Sequence, residues 1–265
     1  MATVYDIFSF MNELAPTERK MDFDNVGLLV GHRDREVKTI LTALDITDAV
    51  IREASELGAD VIVAHHPLFF ETKRVTDEDG VGRKILALAE NGIAAISMHT
   101  NLDAAEGGVN DALGEALGLK NLQLLHTDGI DPEGRPYGIG RVGELDGEMC
   151  LADFLAVVKH RLNAPGLRYV DGGKTVHRVA VLGGSGGGEL DEALRAGCDT
   201  FLTADVKHHV WLSAREEGIN LIDGGHFSTE NTVVPVFTDA LKRRFAGITV
   251  VSSAVHSAVE SFFVG

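Results

Sequence analysis

The chain has 265 residues, 45% of them apolar and 24% charged, with a formal net charge of −16. That acidity disfavours duplex nucleic acid as a partner, and no apolar run approaches the ~20 residues of a membrane span. Two cysteines, Cys150 and Cys198, are too few for a disulfide framework and fit a reducing cytoplasm.

The opening, MATVYDIFSFMNELAP, carries no basic n-region, so no secretory leader is expected. Strands and helices then alternate. Val37–Leu44 reads as a buried strand. A helix follows from Asp48, with Val50, Ala54 and Leu57 on one face and Gly58 as its stop. Next come the strand Val61–Ala64, a helix around Ile85–Ala89 ending near Gly92, and the strand Ile93–Ser97. A further helix carries Val109, Leu113 and Leu117 and closes at Gly118. Between His126 and Lys174 the pattern is less regular. Gly138–Leu145 reads as an edge strand, Leu151–Leu162 as an amphipathic helix, and Asp131–Gly134 as a turn. Val179–Leu182, a helix at Glu189 and the strand in TFLTA then resume the alternation. Lys242-Arg243-Arg244, the longest basic run, reads as the solvated face of a helix rather than a phosphate patch. The class is α/β, with mostly parallel sheets and helices packed on them.

The second half repeats the plan of the first. Glu53–Asp60 reads EASELGAD and Glu192–Asp199 reads EALRAGCD, each followed by a short apolar strand. Further on, HTNLD (His99 to Asp103) and HFSTE (His226 to Glu230) share the form His-x-x-x-carboxylate. The period of roughly 130 residues is far longer than a solenoid repeat. Two related α/β domains by internal duplication are expected, residues 1–125 and 126–265, with the C-terminal segment packing back on the first half.

The chemistry concentrates at strand ends. In VIVAHHPLFF, His65 and His66 sit where a strand must stop, because Pro67 lacks a backbone donor. The carboxyl ends of such strands are where α/β sheets place ligands. Successive strand residues point to opposite faces, so one ion gains little from the pair unless the chain bends there. Side chains leaving on diverging paths can instead reach two ions. Imidazoles with the carboxylates Asp103 and Glu230 suit zinc, iron, manganese or cobalt. His226 and Glu230 share a face if their segment is helical. His99 can act as a ligand, an orienting group or a proton shuttle, with the orienting role ranked first, and the pair His208-His209 reads as surface or pocket rim. Gly183–Gly188 reads GGSGGG. It is either a tight βα turn or a phosphate cradle.

Taken in order, FDNVGLLVG, VIVAHHPLFF, SMHTNLD, GGSGGG, TADVKHH and GGHFSTE resemble the Nif-three-like dinuclear-metal family, whose members are often called GTP cyclohydrolase 1 type 2 homologues. The resemblance covers nearly the whole chain. It implies two divalent ions in a cleft between the halves, held by His65, His66, Asp103, His226 and Glu230. It also implies a ring-shaped homohexamer and a small-molecule, nucleotide-type substrate. The activity implied is a metal-dependent hydrolysis in which GTP yields dihydroneopterin triphosphate and formate, with His99 moving protons and the GGSGGG loop holding the triphosphate. A phosphoester hydrolase and a non-catalytic metal-handling or regulatory protein are the alternatives. Phe23 stands where the family usually has Trp, and Ala204 where it usually has Gly.

Overall fold

The computed structural model describes residues 1–263. They form two compact units, Met1–Ala105 with Val234–Ser257, and Glu106–Val233 with the segment from Ala258.

The first unit is built on a five-stranded sheet in the order Gly27–Val30, Ala94–Ser97, Val61–Ala64, Thr39–Ala43, Thr249–Ser252. All pairings are parallel except the first. Thr39–Ala43, Val61–Ala64 and Ala94–Ser97 are buried along nearly their whole length. This is why their sequences are continuous apolar runs rather than alternating ones. The helix Asp48–Glu56 begins where the Thr47 hydroxyl accepts the Val50 N–H, and Gly58 follows it with φ +62°. The helix Gly80–Glu90 starts a full turn before its apolar stretch because Asp79 caps it. Leu41, Ile62, Val50, Ala54, Leu88 and Ile93 pack together as the core between sheet and helices.

The second unit holds a six-stranded mixed sheet, in the order Lys120–Leu124, Arg141–Met149, Val176–Val181, Thr200–Thr203, Asn220–Asp223, Arg168–Val170. The three strands from Val176–Val181 to Asn220–Asp223 run parallel, and the outer ones are antiparallel. Leu151–Arg161 is helical, and its Phe154 and Val158 are fully buried beside Val179, Leu202 and Ile222.

Two expectations change here. The strand read as an edge at Gly138–Leu145 is an interior one, Arg141–Met149, hydrogen-bonded on both sides. A Cβ at Gly143 would lie 2.8 Å from Leu122 Cδ2 and 3.0 Å from Lys120 O, so glycine lets the neighbouring strand approach. The edge is that neighbour, Lys120–Leu124, a polar and largely exposed strand. The division also falls at Ala105/Glu106 rather than after residue 125. The helix Val109–Ala116 belongs to the second unit because Asp111 meets the buried Arg141 in two bonds, Nε–Oδ1 at 2.8 Å and Nη2–Oδ2 at 2.9 Å. Among the described residues no helix is long and apolar enough to cross a membrane.

Candidate metal centre

The first unit gathers His65, His66, His99 and Asp103. The strand Val61–Ala64 ends at Ala64 and the chain bends, so the two histidine rings do not diverge as they would in a strand. Their centroids lie 4.9 Å apart with planes 42° to each other. His65 is fully buried, while His66 is half-buried. The next strand, Ala94–Ser97, delivers His99, which precedes the short helix Thr100–Ala104 bearing Asp103. The His99 ring lies 5.2 Å from that of His65 and 5.5 Å from that of His66. Each of the three histidines offers a ring nitrogen within 4.8 Å of those of the others. His65 Nε2 also lies 3.8 Å from Asp103 Oδ1.

The second unit presents His226 and Glu230 on one helix, His226–Glu230, with His226 Nε2 3.1 Å from Glu230 Oε2. The helical alternative for this segment is the one adopted. Glu230 is only 4% exposed. The GGSGGG loop lies against it. Gly184 has φ +64°, and a Cβ there would stand 2.1 Å from Glu230 Oε1. Gly184 is therefore required both by its backbone and by the carboxylate it seats. Of the two roles considered for the loop, the tight βα turn is the one these contacts explain.

The Nδ1 atoms carry the most informative pattern. His65 Nδ1 meets Met98 O at 2.8 Å, His66 Nδ1 meets Asp45 Oδ1 at 2.7 Å, and His99 Nδ1 meets Asp24 Oδ1 at 2.9 Å. In the second unit His226 Nδ1 meets Asp205 Oδ2 at 2.7 Å. A carbonyl only accepts, so His65 Nδ1 carries the proton, and ionised carboxylates place it likewise on the other three. In the neutral imidazole Nε2 then presents its lone pair, the arrangement found in metal-ligating histidines. Imidazole nitrogens and nearby carboxylates form a donor set for a borderline divalent cation. The residues present therefore fit a metal ion. Burial pushes the Asp24 carboxyl up, but bonds from His99 and Thr100 outweigh it and bring it down to about 2.

Asp24, Asp45 and Asp205 were not singled out as orienting groups from sequence. Their signal was position: Asp45 and Asp205 each come two residues after a buried strand. Ala204 is fully buried, its N–H bonded to Gly184 O at 2.8 Å, and its backbone needs no left-handed conformation. His208 and His209 are exposed at the start of the helix His208–Glu217, and Lys242, Arg243 and Arg244 are exposed as well.

The fold and the site define an α/β protein whose oriented histidines at strand ends could hold a metal ion. Residues 2–259 match the family model Duf34/NIF3 (NGG1p interacting factor 3), and the chain belongs to that family. It is 38% identical over 241 residues to a Clostridium perfringens protein named GTP cyclohydrolase 1 type 2 homolog, covering 90% of this chain and 91% of the relative. A Streptomyces coelicolor protein of the same name is 40% identical over 235 residues, covering 87% and 82%. A solved Bacillus cereus protein related to NIF3 superposes with a TM-score of 0.92 at 26% identity, covering 99% of each chain.

Proposed function

We propose that this chain is a dinuclear metal-dependent hydrolase of the GTP cyclohydrolase type. His65, His66, Asp103, His226 and Glu230 would hold two divalent ions, zinc, iron, manganese or cobalt. The observation that carries this reading is the set of four histidines whose Nδ1 atoms are all tied to acceptors. Two bound cations would supply Lewis acidity that lowers the pKa of water and polarises the substrate.

The chain's own residues supply the rest. Asp45 and Asp205 fix the orientation of His66 and His226, and Met98 O fixes His65. Gly184 leaves space for the Glu230 carboxylate. His99, oriented by an ionised Asp24, is the group proposed to move protons to and from the substrate. The resemblance further supports GTP as substrate and a homohexameric assembly, and the free cysteines support a reducing cytoplasm.

The test is formate release from GTP, run beside a panel of phosphoesters, by protein loaded separately with each of the four metals. Metal-dependent formate release that disappears in Glu230→Ala is the expected result. Release that survives loss of Glu230 contradicts the proposed site. Metal bound in stoichiometric pairs without turnover of any substrate would make the chain a metal-handling protein instead.

A further inference from the structure

Two large aromatic rings stand out in water on the first unit. Phe23 is 63% exposed and Phe70 is 51% exposed. They lean on one another, with ring centroids 6.0 Å apart and planes at 52°. Phe70 in turn lies 5.9 Å from the His99 ring. The four side chains Phe23, Phe70, His99 and His66 thus form a continuous wall of rings that leads to the histidine cluster.

This wall is held rigidly from behind. The Asp24 carboxylate, 6% exposed, takes the Thr100 N–H at 2.9 Å and the His99 Nδ1–H at 2.9 Å. Met21 N–H reaches Thr100 Oγ1 at 2.9 Å. Asn25 Nδ2 donates to Phe69 O at 2.8 Å, tying the Phe23 loop to the Phe70 loop. Phe69 packs against the core, so its neighbour Phe70 is the residue turned outward. An ordinary exposed Phe sits on a mobile loop or covers its own apolar surface. These two flank buried or part-buried polar bonds and are still left open to solvent.

Their area defines what they can bind. A Phe side chain buries 150–250 Å² at most, and about half of each ring is already covered. That is too little for a protein interface, which needs on the order of 800 Å² per partner. It matches one face of a planar ring. Offset or tilted aromatic pairs prefer centroids about 4.5–7 Å apart, so a ring laid on the side of Phe70 that faces His99, itself 5.9 Å from Phe70, stacks beside His99 as well.

We propose that Phe23 and Phe70 are the binding wall for a planar heteroaromatic ring of the substrate, which they hold over His99. This deepens the metal-dependent reading above. It leans on that reading only for where reaction occurs, since ring binding is measured without turnover.

The experiment uses calorimetry on metal-loaded wild type, Phe23→Ala, Phe70→Ala, Phe70→Leu and Phe70→Trp. The probes are GTP, ATP, neopterin and, as a ringless control, inorganic tripolyphosphate. At least one ring probe should bind the wild type and weaken roughly 5- to 100-fold in the Ala and Leu variants, the range for loss of one stacked base. Phe70→Trp should retain binding. Tripolyphosphate affinity and metal content should not change. Ring probes that bind all variants like the wild type would overturn the proposal, as would failure of every ring probe to bind the wild type at millimolar concentration. A changed sedimentation coefficient in the Ala variants would also overturn it, because the rings would then lie between copies. Metal titration of the wild type reads the proposed function separately: a protein that binds none of the four metals yet keeps the ring preference would refute the metal reading and leave the aromatic wall standing.

Discussion

Replacing Gly184 by Ala probes the metal centre without touching any of the proposed ligands. The Cβ would lie 2.1 Å from Glu230 Oε1, where ordinary contact begins at 3.4 Å, so the carboxylate must retreat by about 1.3 Å. Metal–ligand distances tolerate only about 0.2 Å. The retreat is therefore several times larger than a bond to metal can absorb. Ala must also adopt φ near +64°, a left-handed conformation that costs about 1–2 kcal/mol for a residue with a Cβ. Gly184→Ala should lose about 100-fold in metal affinity, the upper end of what disturbed outer-sphere partners produce. It should also melt at a lower temperature than wild type. Gly188→Ala in the same loop is the control. A Cβ there meets nothing within 4 Å, and its φ is not left-handed. It should bind metal like wild type and be neutral or slightly stabilised. Metal content by mass spectrometry and thermal melts read both variants. A Gly184→Ala protein with wild-type metal content and an unchanged melting temperature would refute the reasoning.

Asp45→Asn should weaken metal binding by roughly 10- to 100-fold, because the amide no longer fixes the His66 Nδ1–H as a carboxylate does; competition with a chromogenic chelator measures it, and an unchanged affinity would count against the orienting role. Cys198 is buried and burial pushes its thiol up to about 11, whereas Cys150 is exposed. Iodoacetamide at pH 8 should therefore modify Cys150 alone in the native protein and both cysteines in denaturant, read by intact mass. Burial lowers the His256 pKa against the opposing pull of Asp45 and Glu53, and its Nδ1 accepts the Leu44 N–H at 3.1 Å. The unfolded chain then binds the proton first as pH falls. The stability His256 contributes is full above about pH 6.5 and declines below it. Melts between pH 5 and 7.5 should show a shallower slope for His256→Gln, and identical slopes would contradict the assignment.

Much of the fold was legible because the central strands are fully buried. VIVA and TFLT read as strands from apolar continuity alone, and both are buried at every position. Pro67 marked the strand end correctly, and the residues around it carry the candidate ligands. What remained hidden depended on contacts distant in sequence. Gly143 admits the neighbouring strand at Leu122, a contact between strands that residue type alone does not reveal. The sequence places helix Val109–Ala116 in the first half, whereas Asp111 meeting Arg141 ties it to the second unit. In the candidate site, residue type and strand position single out His65, His66 and Asp103 as candidates. They did not reveal the partners of each Nδ1, because Asp24 is 75 residues from His99 and Asp45 is 21 from His66. The bent chain after Ala64 was equally invisible, and it is what brings two adjacent histidine rings to 4.9 Å.

The proposed site holds two ions among His65, His66, Asp103, His226 and Glu230. Crystals of metal-loaded protein, measured with anomalous diffraction at the absorption edge of the bound metal, test it directly. Two peaks about 3.5–4 Å apart are expected, each within about 2.0–2.2 Å of side-chain donor atoms of these five residues. A single peak, or none, would contradict it.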